Sequence, residues 1–161
     1  MMDQETFAAL AEEHMDMVYR IAFHDLHSPQ DADDVTQEVF LRLLRAAPEF
    51  DGADHAKHWL IRVTLNECRR LVCSPWRRHT VPLTDCEAVP HWESPEQGEL
   101  FQTVMGLPRK YRVPLYLYYY EGCRVNEIAR LLRRSPSTVQ TQLARGREQL
   151  KHILTEEWSY D

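Results

Sequence analysis

VNEIARLLRRSPSTV, residues 125–139, decides the reading of this chain, because it has the form of two helices joined by a tight turn. Ile128, Ala129, Leu131 and Leu132 give the first helix one apolar face, with Ala129 small enough to admit a second helix at close range. Ser135-Pro136 is a helix start signal: serine caps free amides, and proline at the first helical position loses no hydrogen bond. Val139, Leu143, Gly146 and Leu150 then recur at steps of four, three and four, which predicts one buried stripe. The opposite face carries Ser137, Thr138, Gln140, Thr141 and Arg145. Hydroxyl, amide and guanidinium groups in that arrangement suit the base edges and phosphates of a major groove. The pattern predicts a helix-turn-helix, although taken alone it also fits a helical hairpin with a solvated face.

Charge weighs between those readings. The net charge of −6 hides strong segregation. Residues 107–152 hold ten Lys and Arg against three Asp and Glu, and residues 57–79 hold six against one. A basic block that coincides with a helix-turn-helix is the electrostatic footprint of a duplex reader. Residues 1–56 carry three basic groups against thirteen acidic ones, a balance that fits docking on a basic protein surface and equally fits a solvated face.

Pro75, Pro82, Pro90 and Pro95 fall between two stretches of helical periodicity, which is linker chemistry. The expected architecture is all-α: two small helical domains, residues 1–73 and 94–161, joined by a proline-rich linker at 74–93, with the helix-turn-helix in the second. No run of about eighteen apolar residues predicts a membrane helix, and the first residues do not resemble a secretory leader, so a cytoplasmic location is expected. Cys68, Cys73, Cys86 and Cys123 lack Cys-x-x-Cys spacing, which favours reduced thiols. His55 and His58 with Cys68 and Cys73 are the one set that a zinc site would draw on, at spacings wider than structural sites use. No metal or cofactor is expected. Neither a phosphate-cradling glycine loop nor a spaced nucleophile set points to an enzyme.

The first domain reads as three helices. Phe7, Leu10, His14, Met17 and Ile21 form one stripe, with His14 a partly buried filler. After the Ser28-Pro29 break, Val35, Val39, Phe40, Leu43 and Leu44 form a second, opposite Asp33, Gln37, Glu38 and Arg42, and Pro48 and Gly52 end it. The third helix places Trp59, Leu60, Val63 and Leu71 on one side and Lys57, Arg62, Asn66, Arg69 and Arg70 on others. Cations, an aromatic and an amide on one short helix are what single-stranded DNA asks for, since unstacked bases need a flat surface and an edge reader. The alternative makes Trp59 core.

Three motifs together, DADDVTQEVFLR at 31–42, WLIRVTLN at 59–66 and LPRKYR at 107–112 leading into the helix-turn-helix, resemble the bacterial RNA polymerase sigma factors of the extracytoplasmic-function group. The resemblance covers nearly the whole chain. It implies a protein that binds core polymerase, directs it to promoters and promotes local melting, with no catalytic chemistry of its own. By resemblance, the helix bearing Asp33, Asp34, Gln37, Glu38 and Arg42 docks on the polymerase clamp. The segment bearing His55, Lys57, His58, Trp59, Arg62, Asn66, Arg69 and Arg70 binds the minus-ten non-template strand, with Asn66 on a base held out of the stack. Arg133, Arg134, Ser135, Ser137, Thr138, Gln140, Thr141 and Arg145 meet the minus-thirty-five duplex, the second domain touches the polymerase flap, and the linker threads toward the active site and RNA exit path. An inhibitory anti-sigma protein is a further partner the resemblance suggests. A free-standing helix-turn-helix regulator is the competing reading, and it leaves the acidic helix and the Trp59–Arg70 helix without a role.

Two departures from the family pattern carry expectations. Arg133-Arg134 stands where many members have Gly-Ile. A non-glycine residue at a positive-φ turn costs about 1 kcal/mol, so a reshaped turn is expected, and Arg134 gives up an apolar contact while both arginines stay within reach of phosphates. The run Tyr116, Tyr118, Tyr119 and Tyr120 is too aromatic to be wholly buried at helical spacing, so part is expected as core and part as an exposed patch.

Overall fold

The computed structural model describes residues 1–74 and 101–158, with side chains to Thr155. The expected linker therefore lies outside the described residues, apart from Ser74, as do Cys86 and residues 94–100. The described residues are helical, with no strand among them, and fall into two compact units.

The first unit packs three helices on one another: α1 (Gln4–Leu26), α2 (Pro29–Ala46) and α3 (Ala53–Val72). Side-chain caps start two of them. Asp3 accepts from the Thr6 amide at 2.8 Å, a bond that holds its carboxyl below the usual range, and Ser28 accepts from the Asp31 amide at 3.2 Å ahead of Pro29. Both end on non-glycine residues in the left-handed region, His27 at φ 52° and Ala47 at φ 45°.

The apolar stripes of α1 and α2 fall inward as their spacing predicts: His14, Met17 and Ile21 are buried, as are Val35, Val39, Phe40 and Leu43. Phe7, Leu10 and Leu44 sit half-buried at the rim. On α3 the structure corrects the sequence reading. Its core face is Ala56, Leu60, Ile61, Thr64, Leu65, Glu67 and Cys68, while Trp59 and Val63 are only half-buried. The face is turned because four polar or small residues, Ala56, Thr64, Glu67 and Cys68, are buried on it. Thr64 is absorbed by donating its hydroxyl to the Leu60 carbonyl at 2.6 Å, a bond that cancels its polarity inside the core. Trp59 thus moves from core to margin.

The second unit opens with a helical stretch at 101–105, then α4 (Arg109–Tyr119), α5 (Val125–Leu132) and α6 (Pro136–Trp158), with α4 and α5 both packed on α6. Val139 and Leu143 are buried, as is Gly146, whose missing side chain is what allows the helices to meet. A Cβ there would stand 2.9 Å from Leu115 Cδ1 and 3.3 Å from Tyr111 Cβ. Arg112 is buried as well, donating from Nη1 to the carbonyls of Met105 and Leu107 at 3.3 and 3.2 Å, so it ties the turn before α4 to the helix. The tyrosine run divides as its spacing requires: Tyr116 is buried with its hydroxyl donating to Glu121 at 2.8 Å, and Tyr118, Tyr119 and Tyr120 are exposed.

Candidate nucleic-acid interface

The turn between α5 and α6 is set by backbone geometry. Arg133 adopts φ 57°, ψ 48°, the left-handed conformation of a glycine turn, so the expected reshaping does not occur. The amide of Arg134 then donates to the Ala129 carbonyl at 2.9 Å and that of Arg133 to the Arg130 carbonyl at 3.3 Å. This is a Schellman closure built without glycine, and it satisfies carbonyls that the end of α5 would leave open. Arg134 at the following position is exposed rather than packed, and its Nη1 donates to Gln142 Oε1 at 2.9 Å.

At the start of α6, Ser135 Oγ accepts from the Thr138 amide at 3.2 Å and lies 2.8 Å from the Thr138 hydroxyl and 3.1 Å from that of Ser137. Thr141 donates back to the Ser137 carbonyl at 3.0 Å. These bonds leave a hydroxyl-lined, fully exposed ridge over the first two turns. Ser137, Thr138, Thr141, Gln142 and Arg145 line a shallow groove that Lys110 and Tyr111 of α4 close from the other side. Gln140, about 200° around the axis from Thr138, lies on the opposite flank and is exposed. Arg147 lies on that flank too, and its Nη1 donates to the exposed Tyr119 hydroxyl at 2.9 Å.

The candidate residues of α3 stand differently. Phe50, ahead of the helix, meets His55 edge-on at 5.2 Å and Trp59 at 5.8 Å, so it braces the half-buried indole. His55 Nδ1 accepts from the Asp51 amide at 3.0 Å, which locks the loop onto the helix. Lys57, His58, Asn66 and Arg69 are half-buried, while Arg62 and Arg70 are exposed. His55, His58, Cys68 and Cys73 do not converge on a metal-binding arrangement.

On α2, Asp33, Asp34, Gln37 and Arg42 are exposed and Glu38 is half-buried, all outside the apolar stripe. Glu67, only 3% exposed, receives Arg42 Nη2 from α2 at 2.6 Å and Arg70 Nη2 from its own helix at 2.9 Å. Arg42 also pairs with Glu38 at 3.3 Å. The Glu67 bonds raise the affinity of the Arg70 guanidinium for its proton. Two residues assigned from sequence to separate surfaces thus share one buried carboxylate. A charged residue at a core register, with cations within reach on a neighbouring helix, is the only signal that points to it.

An exposed helix-turn-helix carrying cations in one unit, and an aromatic-edged basic helix with an acidic helix in the other, define a DNA-binding transcription factor of two modules. Residues 10–78 match the sigma-70 region 2 family model and residues 97–150 match the sigma-70 region 4 model. The RNA polymerase sigma-H factor of Pseudomonas aeruginosa is 28% identical over 94% of this chain and 88% of its own. The ECF RNA polymerase sigma factor SigE of Mycolicibacterium smegmatis is 31% identical over 90% of this chain and 60% of its own. The sigma factor RpoE of Bartonella quintana, solved with its anti-sigma factor NepR, has the same fold at TM-score 0.69 and 15% identity, over 94% of this chain and 98% of that one. The chain belongs to the sigma-70 family, in its extracytoplasmic-function group, whose members bind core RNA polymerase and direct initiation at promoter DNA.

Proposed function

We propose that residues 1–73 dock on the polymerase clamp and capture the minus-ten non-template strand, that residues 74–93 are the linker, and that residues 94–161 read the minus-thirty-five duplex. In this reading α2 offers Asp33, Asp34, Gln37, Glu38 and Arg42 to the clamp. On α3, His55, Lys57, His58, Trp59, Arg62, Asn66, Arg69 and Arg70 hold the single strand, with Trp59 stacking a base and Asn66 reading an edge. On the turn and α6, Arg133, Arg134, Ser135, Ser137, Thr138, Gln140, Thr141 and Arg145 meet the duplex.

The protein acts by positioning polymerase, works in the cytoplasm where polymerase is, and carries no catalysis of its own. An anti-sigma protein that covers the polymerase-binding faces is its proposed regulator. The observation that carries this reading is the partly exposed indole of Trp59, braced by Phe50 on the helix that also carries Asn66 and several cations, because a free-standing duplex reader has no use for it.

In vitro transcription with purified core polymerase on fragmented genomic DNA, with start sites mapped, tests the assignment. Initiation should appear at a shared pair of elements only when this protein is present. Charge reversal at Asp33 and Asp34 should abolish it by weakening core binding, at a stability cost within about 0.5 kcal/mol. Duplex binding without any stable association with core polymerase would instead favour the free-standing regulator.

A further inference from the structure

The groove between α4 and α6 joins residues of the helix-turn-helix to a cation from outside it, Lys110, which the minus-thirty-five assignment leaves unused. Two cations face it from different helices, Lys110 and Arg145, together with the hydroxyls of Ser137, Thr138 and Thr141 and the amide of Gln142. No carboxylate lines it. Four other cations are committed within the protein: Arg42 and Arg70 to Glu67, Arg134 to Gln142, Arg147 to Tyr119. Lys110 and Arg145 have no ion pair among the described residues, and the Lys110 ammonium rests over the neighbouring Tyr111 ring at 5.2 Å from its centroid. A hydroxyl-lined groove with two unpaired cations and no acid is complementary to one thing, an anionic oxygen.

We infer that this groove seats one backbone phosphate of duplex promoter DNA, with Lys110 as a contact supplied from outside the helix-turn-helix. The inference rests on the minus-thirty-five reading above. It follows from placement: the groove opens on the face of α6 that carries Ser137, Thr138 and Thr141, so a duplex lying on those hydroxyls brings its sugar-phosphate rim against α4. Lys110 fixes where the duplex lies on the domain and carries no base preference.

The test uses the full chain assembled with core polymerase and a promoter duplex, titrated at several salt concentrations. Lys110 is exposed at the start of α4, so Lys110→Ala leaves the packing intact. It should weaken binding by a similar factor on every single-base variant and lower the salt slope by about one unit. Its deficit against wild type should therefore shrink about three- to fourfold between about 50 and 200 mM salt. Lys110→Arg should restore slope and affinity. A methylphosphonate scan of the duplex should reveal one position where neutralising the phosphate weakens wild type but not Lys110→Ala.

An unchanged slope, or a scan in which no position loses its effect in the variant, would overturn the phosphate seat while wild type still prefers its promoter. Equal losses on the single strand alone would assign Lys110 to the wrong form of DNA and overturn it too. A wild-type holoenzyme that binds all duplexes alike would bring down the underlying reading with it.

Discussion

The two helices that carry the candidate DNA residues, α3 and α6, are built on opposite principles. On α3 the groups are anchored before any ligand arrives: Trp59 leans on Phe50, His55 is bonded to the Asp51 amide, and Arg70 is fixed by a buried carboxylate. On α6 the hydroxyls stand exposed in the first turns and Arg145 has no protein partner among the described residues. The contrast matches the two forms of DNA. A single strand brings no shape of its own, so its site must be preorganised to limit the entropy lost on binding. A duplex is already rigid, and flexible cations on a rigid helix suffice to find its phosphates.

Glu67 is where that contrast breaks most severely. Glu67→Ala removes a buried acceptor shared by two arginines and leaves a void between α2 and α3. Full burial of both partners would cost about 3–5 kcal/mol. Arg42 and Arg70 reach water, at 45% and 66% exposure, so the expected loss is about 1–3 kcal/mol. Hydrogen exchange read helix by helix should show faster opening in α2 and α3 and none in α6. Unaltered α3 protection would mean that the carboxylate anchors nothing.

How far this was legible from sequence follows the same division. The helix-turn-helix and its Ser135 cap were readable because each rests on local chemistry, the cap within three residues, whereas the turn at Arg133 keeps a left-handed form that its non-glycine residue argued against. The core face of α3 was misjudged because Thr64 and Glu67 are buried there, and what satisfies Glu67 includes Arg42 from another helix, which no local pattern reveals. The groove at Lys110 was missed for the same reason, since it joins two elements distant in sequence.

Effects on base recognition come next in size. Trp59→Ala and Asn66→Ala should each weaken binding of a forked minus-ten template by about ten- to a hundredfold, or about 1–3 kcal/mol, with core polymerase affinity unchanged. The two should differ in kind. Loss of the indole should hurt every base at its position, whereas loss of the amide should blur preference for one. A Trp59→Ala variant that melts promoters normally, by permanganate footprinting, would return Trp59 to a packing role and erase the contrast with α6.

On α6 the expected change is narrower. Gln140 lies off the Lys110 groove, so Gln140→Ala should alter which base is preferred at one minus-thirty-five position by about 1 kcal/mol and leave the salt slope alone. Binding measured on a panel of single-base variants in the holoenzyme decides it. A uniform loss with a reduced slope would place Gln140 with the phosphate contacts instead.

The smallest effect separates fold from function at a single backbone angle. Arg133 at φ 57° and Ala47 at φ 45° are both non-glycine residues held in the left-handed region, one in each unit. Replacing either by glycine relieves a strain of about 1 kcal/mol, less about 0.4–1 kcal/mol for the extra entropy glycine brings to the unfolded chain, so a net gain of up to about 0.6 kcal/mol is expected for each. Only Arg133 is a proposed DNA contact. Arg133→Gly should therefore raise the stability of the second unit while lowering minus-thirty-five affinity and its salt slope, and Ala47→Gly should stabilise the first unit with DNA binding untouched. Local exchange rates together with affinity titrations at several salts measure both. If Arg133→Gly stabilises and binds as well as wild type, the arginine is a tolerated departure from glycine and nothing more. If it destabilises, the left-handed turn is held by contacts of the side chain that its exposure does not suggest.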